Sequence, residues 1–431
     1  MKFEFINHSC FNIEHNNTSL TVDPWVEGSV FNKSWNLLVN TPKESIKTVN
    51  NSHFIWFSHE HPDHFNPTNI KNFGHNKTYL FQKTKDKRVI NYLKKFSQKI
   101  VELDSKNIFN LNNNFSIQVF PFQDLDSFCV IRVGNLTILN LNDCHIKKTK
   151  ELDFIKKNIG NIDILLIQFS YAIGKTNRND KLKREKIAND ILDNLNLIIS
   201  YLRPSKVIPF ASFCYFSRKD NFHHNDSINK IEDTIKFLKV HNSDVNFLCF
   251  YPGDIWDFKS QWNNSSSLNK YNNDYKKIKP LLINDNPVEF SDLFSTSKKF
   301  ILNTKSNNNL FNIYRFLNNK YYKIFFKLTD LNLFLKFDFD NGLQAIENIS
   351  IDAPICELTS ESLKNLFDSG YGYDSLTIGG RYESNLFGEK CLNKIFKFQT
   401  KNYQNQFYNF NEIFSKLFIK FLKRSRYNPE R

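Results

Sequence analysis

No Cys-x-x-Cys pair occurs in this chain. Its seven cysteines, Cys10, Cys129, Cys144, Cys214, Cys249, Cys356 and Cys391, lie far apart and are odd in number, which argues against a disulfide framework and predicts a reducing compartment, the cytoplasm. Long apolar runs are missing too. The longest, over 162–173, is interrupted by Asp163, Gln168 and Ser170, so no membrane span is expected. The opening Met-Lys-Phe-Glu-Phe has an early acid and no apolar stretch behind it, which predicts no signal peptide. There is no finger spacing, no RNP-like run and no internal repeat, so nucleic acid is not an expected partner. Acidic residues are in short supply: 44 Asp and Glu face 58 Lys and Arg, a net charge of +14. That excess is spread along the chain and suits anionic small molecules such as nucleotides, phosphates or acidic sugars.

What is present describes a folded protein. The chain has 431 residues, 40% of them hydrophobic and 44 of them Phe, enough for two or three domains with full cores and incompatible with disorder. From residue 1 to 258 short β-like runs (19–22, 54–58, 115–120, 128–133, 136–141, 162–169, 206–210 and 245–251) alternate with helical candidates over 67–73, 87–96 and 181–202, an α/β layer pattern. Asn66 before Pro67 reads as a cap followed by proline at the first helical position. The polar, Asn- and Ser-rich stretch 259–286 reads as a linker. A second, smaller α+β domain is expected over 287–400, with strands at 322–327, 331–339 and 376–378, a helix at 360–367 and a closing Gly379-Gly380-Arg381 turn. Residues 401–431 form a basic amphipathic stretch in which Phe414, Leu417, Phe418 and Phe421 share one helical face. A C-terminal helix docked on the body is the favoured reading over membrane-surface binding.

The informative segment is Phe54-Ile55-Trp56-Phe57-Ser58-His59-Glu60-His61-Pro62-Asp63-His64-Phe65, an apolar strand running into three histidines and an aspartate. Imidazole with carboxylate suits zinc or iron. Side chains alternate along extended chain, so His59 and His61 point the same way. A turn at Pro62 then lets Asp63 and His64 face a second ion. Asp143, at the carboxyl end of the run 136–141, can reach out of the sheet and bridge two cations.

The pattern His59-x-His61-x-Asp63-His64 with Asp143 downstream resembles the metallo-β-lactamase superfamily. That resemblance implies an αββα sandwich with one or two metal ions at one edge. Asn7-His8-Ser9-Cys10, Asp23-Pro24-Trp25, Gly28-Ser29-Val30-Phe31, Trp35-Asn36-Leu37-Leu38, Leu139-Asn140-Leu141-Asn142-Asp143-Cys144 and Pro209-Phe210-Ala211 resemble the lactamase-like part of the CMP-N-acetylneuraminate hydroxylase family, over about residues 6–258. The chain departs from that family in two ways. These 431 residues contain neither the C-x-H nor the C-x-x-H pair of a Rieske [2Fe–2S] cluster, so electrons for an oxygenase come from a separate donor or from the substrate. Where the superfamily places a third histidine before Asp143, this chain reads Pro121-Phe122-Gln123-Asp124-Leu125-Asp126-Ser127. Either Asp124 or Asp126 substitutes, shifting preference toward iron or manganese, or both are loop acids. The superfamily's last ligand, a late histidine, falls to His223 or His224, unless these lie in a surface turn. His8 is expected to hydrogen-bond the Asp23 loop. Lys181, Lys183, Arg184, Arg218 and Lys219 either receive an anionic substrate or face water. In the second domain, Leu328-Thr329-Asp330-Leu331-Asn332 and Ser375-Leu376-Thr377-Ile378-Gly379-Gly380-Arg381 are similar to sterol-carrier-like domains. No lipid ligand is inferred from them, and a lid or dimerisation role is expected.

The leading functional expectation is an iron-dependent oxygenase acting on a nucleotide-activated or amino sugar, with His59, His61, Asp63, His64, Asp126, Asp143 and His224 as ligands. Zinc or manganese are the other candidate metals. The alternative is a dinuclear hydrolase of a lactone, phosphodiester or amide, in which Asp63 orients the metal-bound nucleophile or takes up its proton. A scaffold carrying a vestigial site ranks third, because the cluster is complete.

Overall fold

Strand Phe54–Phe57 shows how this sequence builds layers. Ile55 and Phe57 join one apolar cluster with Val49, Ile70, Phe73, Val89, Ile90 and Leu93. Trp56, between them, joins another with Phe11, Ile13, Leu20 and residues of a facing sheet. Alternation sends neighbouring side chains to opposite faces, and both faces are covered, so the strand reads as continuously apolar. The computed structural model describes residues 1–123, 125–281 and 286–410.

Among the described residues, two seven-stranded sheets form the first unit. One runs Ile255–Trp256, Lys2–Asn7, Cys10–His15, Thr18–Val22, Phe54–Phe57, Thr78–Gln82, Ile100–Leu103 in spatial order. The other runs Asn246–Phe247, Lys206–Phe210, Ile164–Gln168, Leu136–Asn140, Asp126–Val133, Phe115–Phe122, Phe109–Asn112. Ring contacts such as Phe11 with Phe210, at 6.1 Å between centroids, knit the two inner faces together. Helices Lys43–Asn51 and Arg88–Leu93 contribute to the apolar layer outside the first sheet. Thr149–Ile159, Lys181–Leu202 and Ile231–His241 bring Leu152, Leu195, Ile198, Ile235 and Leu238 into the main core. The result is the expected αββα sandwich. In each sheet one half is parallel, so the strands Thr18–Val22 and Phe54–Phe57, and Leu136–Asn140 and Lys206–Phe210, carry their carboxyl ends to a common edge of their sheet. In open α/β sheets, ligands bind outside such ends.

Several local expectations are met. The helix Lys181–Leu202 has the predicted bounds, and the Asn66 side chain accepts from the N–H groups of Thr68 and Asn69 ahead of a helix beginning at Pro67. The stretch 259–286 is different: it is not a linker throughout, since Ser265–Lys277 is a helix. Leu268, Tyr271 and Tyr275 fall on one helical face. Tyr271 stacks on Phe213 with centroids 4.3 Å apart and donates to the Phe250 carbonyl at 3.0 Å. Three aromatic or aliphatic anchors outweigh a polar composition, and the first compact unit comprises Met1–Ala172 and Asp180–Leu281.

The second unit takes Ile173–Asn179 and the chain after Leu281. A five-stranded sheet, Gly342–Ile346, Leu333–Asp338, Lys323–Leu328, Ile355–Leu358, Glu383–Ser384 in spatial order, packs with helices that include Phe290–Asn307, Ser360–Asp368 and Leu386–Tyr403. Asn177 exchanges two hydrogen bonds of 2.9 Å with the Ser384 backbone. The expected strand 376–378 is instead part of helix Gly372–Gly379. Three alternating residues are too few to establish a period, and Gly380, at φ 67°, supplies the left-handed residue that ends the helix. The boundary expected at 400 falls inside Leu386–Tyr403. The face formed by Phe414, Leu417, Phe418 and Phe421 lies outside the described residues.

Candidate metal centre

The centre is organised around Asp23, at the end of strand Thr18–Val22, fully buried and at φ 41°. Its carboxylate accepts from the Ser58 N–H and the Ser58 hydroxyl, both at 2.7 Å. It also lies 2.9 Å from His64 Nδ1. That contact places the proton of His64 on Nδ1 and turns Nε2 toward the site, the usual way an outer carboxylate fixes a metal-binding imidazole. Ser58 Oγ, having donated to Asp23, lies 2.9 Å from His59 Nδ1 and can accept there, which frees His59 Nε2 in the same manner.

Among the described residues, ligand atoms then converge in three overlapping groups, each within 4.8 Å: His59, His61 and Asp126; His59, His64 and Asp143; His8, Asp63 and His64. His59 Nε2 and His61 Nδ1 are 2.9 Å apart. Two nitrogens at right angles about one ion, each about 2.1 Å from it, would be separated by about 3 Å. Asp143 Oδ2 is 3.3 Å from His64 Nε2, and Asp63 Oδ2 lies 3.6 Å from the same nitrogen and 3.5 Å from His8 Nε2. Several buried polar atoms here have no hydrogen-bond partner: both ring nitrogens of His8, His64 Nε2, Asp63 Oδ1 and Asp143 Oδ1. Buried polar groups are rarely left so, and bound cations would give a partner to one ring nitrogen of His8, to His64 Nε2 and to the two carboxylates. Imidazole and carboxylate donors fit zinc, iron or manganese.

The buried charges of the cluster act on one another. Burial pushes the Asp63 carboxyl up, but His64, His8 and His61 together draw it down to about 2. Burial holds His59 well below the ordinary histidine value, aided by His64 and His61. Burial acts on His64 in the same sense, yet Asp143, Asp63 and Asp23 outweigh it and raise that ring. Asp126 is pushed up to about 6, chiefly by burial.

His59, His61, Asp63, His64, Asp126 and Asp143 are therefore all gathered in these groups. Asp124 lies outside the described residues. Glu60, the remaining acid of the loop, is engaged by Arg88 at 3.1 Å. Neither His223 nor His224 belongs to any of the groups. His224 is buried, its ring 4.9 Å from Phe216 and 4.1 Å from His223, and its carbonyl accepts from Tyr171. Arg184, considered above for an anionic substrate, is buried and makes a two-pronged pair with Asp226 at 2.9 and 2.6 Å. The expected bond between His8 and the Asp23 loop is corrected. His64 takes the Asp23 carboxylate, and His8 faces Asp63 instead. The one signal for this in the sequence was a histidine in a two-residue turn between strands, which says nothing about which carboxylate it meets.

An iron-sulfur protein of Mycolicibacterium smegmatis named for a Rieske 2Fe-2S centre is 25% identical over 298 residues, covering 62% of this chain and 55% of its own length. The cytidine monophosphate-N-acetylneuraminic acid hydroxylase of Danio rerio is 21% identical over 295 residues, 61% of this chain and 47% of that protein. The chain thus spans about half the length of the curated relatives it matches. Among solved structures, the diiron β-hydroxylase CmlA from Streptomyces venezuelae aligns with a TM-score of 0.42 at 15% identity, over 59% of this chain and 53% of that one. A family model described as a beta-lactamase superfamily domain matches residues 2–210. Over those residues two facing sheets carry the His-x-His-x-Asp-His loop at one edge, the layered arrangement of the metallo-β-lactamase fold, and the chain is similar there to the β-lactamase superfamily.

Proposed function

We propose that the first unit is a dinuclear, iron-dependent oxygenase that hydroxylates an anionic sugar, with a sugar nucleotide as the favoured substrate. One observation carries the choice of metal: His59 and His61 meet Asp126, not a third imidazole. Two histidines and one carboxylate with open positions are the donor set of non-haem iron oxygenases. Bound there, iron would supply the activation of O₂. Asp143, within reach of both His59 and His64, is the natural bridge between the two positions. Phe31 stands with its ring 6.0 Å from His61 and 4.7 Å from Trp35, an apolar wall that limits water beside the first position. The net charge of +14 favours an anionic substrate, and the hydroxylase named in the comparison is one whose name specifies a nucleotide sugar. Electrons would come from outside these 431 residues, from a separate donor or from the substrate.

A second reading, hydrolysis of a lactone, phosphodiester or amide, uses the same ligands. Metal ions held by these residues would supply an activated water, and Asp63, held ionised by its histidine neighbours, would orient it or take up its proton. The two readings separate on purification without oxygen, followed by metal analysis and exposure to air with and without a reductant. About two irons per chain and reductant-dependent oxygen uptake are expected of the oxygenase. Stoichiometric zinc, with no response to oxygen and turnover of ester or phosphodiester substrates, would replace it with the hydrolase.

A further inference from the structure

We infer that His8 is the ligand that completes the second metal position beside Asp63 and His64, in place of a histidine from late in the domain. The inference rests on the two-ion reading above and goes further, because it makes the two positions chemically alike. The first has His59, His61 and Asp126, and the second has His8, His64 and Asp63. Asp143 lies between them.

Three observations carry it. The His8 side chain is 2% exposed, yet both of its ring nitrogens lack a hydrogen-bond partner. A core histidine kept for packing normally satisfies at least one of them. The ring is also aimed: it stands edge-on to Trp25 at 5.3 Å and to His64 at 6.1 Å, with Nε2 3.5 Å from Asp63 Oδ2. Finally, the backbone is forced to present it. His8 sits at φ 45° in the turn between strands Lys2–Asn7 and Cys10–His15, a left-handed conformation that costs a non-glycine residue free energy and is kept where the surroundings impose it.

Those surroundings are visible on every side of the turn. The His8 N–H donates to Asn7 Oδ1 at 3.0 Å, while Asn7 Nδ2 donates to the Val39 carbonyl and to the Thr41 hydroxyl. The His8 carbonyl accepts from the Ala211 N–H at 2.9 Å, just past strand Lys206–Phe210 of the other sheet. Ser9 Oγ donates to the Asp63 carbonyl at 3.3 Å. Both sheets and the ligand loop itself thus hold the turn in register with Asp63. By contrast, His224 belongs to no converging group, and its ring lies against Phe216 and His223.

The test compares His8→Asn, His8→Gly and His224→Ala with the unmodified chain. Each is reconstituted without oxygen using ferrous iron and, separately, zinc, and metal is counted after gel filtration. Asn and Gly both accept a positive φ, so neither variant disturbs the turn, and the metal-free variants should melt no lower than the metal-free parent. The expected result is two ions per unmodified chain and per His224→Ala chain. Both His8 variants should keep one, with the other weakened by more than the ~10–100-fold that even an outer-shell partner contributes. Two ions retained by His8→Asn and His8→Gly would overturn the assignment of His8 and leave the two-ion reading standing, as would loss of one ion from His224→Ala alone. A single ion in the unmodified chain, held equally well by the His8 variants, would overturn both.

Discussion

In the first unit the carboxyl ends of parallel strands finish in histidines and aspartates whose buried donor atoms point at one another. In the second, the same kinds of residue are settled locally. Asp330 accepts from the Ser360 N–H at 2.9 Å and its hydroxyl at 2.6 Å, Glu357 pairs with Lys327 and Asp338 with Lys336. Among the described residues, no group of histidine, cysteine, aspartate and glutamate converges there. Both units fill their cores with phenylalanine, so composition does not separate them. What does is whether the carboxylates find protein partners, as Asp330, Glu357 and Asp338 do, or are buried facing other candidate ligands, as Asp63 is. Stability and chemistry are thereby divided, with the second unit resting on packing and the first on packing plus a candidate metal site.

The sharpest way to probe that division is to truncate one core. Phe300 meets Phe337, Phe339, Phe367 and Phe396 at centroid distances of 5.0–6.1 Å. Phe300→Ala should cost the second unit about 3–5 kcal/mol, read by thermal or denaturant unfolding, with metal content unchanged. Loss of metal from this variant would show that the two units are not independent.

An intermediate effect is expected from Asp23→Asn. The amide tolerates the left-handed backbone at this position but offers only one acceptor where Ser58 and His64 use both carboxylate oxygens. Metal affinity should fall ~10–100-fold with the fold intact by circular dichroism. Unaltered affinity would mean that Ser58 alone orients the histidines.

The smallest effect is on pH dependence in the metal-free protein. Burial raises Asp126 to about 6 from an ordinary value of 3.8. An acid raised on folding contributes stability that is fully present below its unfolded value and is lost as pH rises through the folded value. The metal-free first unit should therefore lose stability between pH 3.8 and about 6 through this group. Asp126→Asn should flatten that slope, measured by denaturant midpoints across the window. Ferrous iron should bind more tightly toward the upper end, where no proton has to be displaced. A slope unchanged in Asp126→Asn would assign it to another group.

Much of the site was legible because its signals are local. Alternation along Phe54–Phe57 and the spacing of His59, His61, Asp63 and His64 need only a dozen residues, and the structure indeed brings His59 and His61 to 2.9 Å. Asp143 was legible as an acid at a strand end. Asp126 was legible only as one of two adjacent acids. The helix Ser265–Lys277 was hidden by its Asn and Ser content, because its reason for folding is the stacking of Tyr271 on Phe213, more than fifty residues away.

The sequence by itself determined the kinds of ligand available, the strand that delivers most of them and the layered class of the fold, all of which depend on side-chain chemistry and short periodicities. Which carboxylate meets which imidazole was decided only by the tertiary structure. Asp23 goes to His64, Asp63 to His8 and Asp126 to the His59–His61 pair. These partners come from separate strands and turns of two sheets, and a shift of one residue in any strand register would turn their side chains to the opposite face.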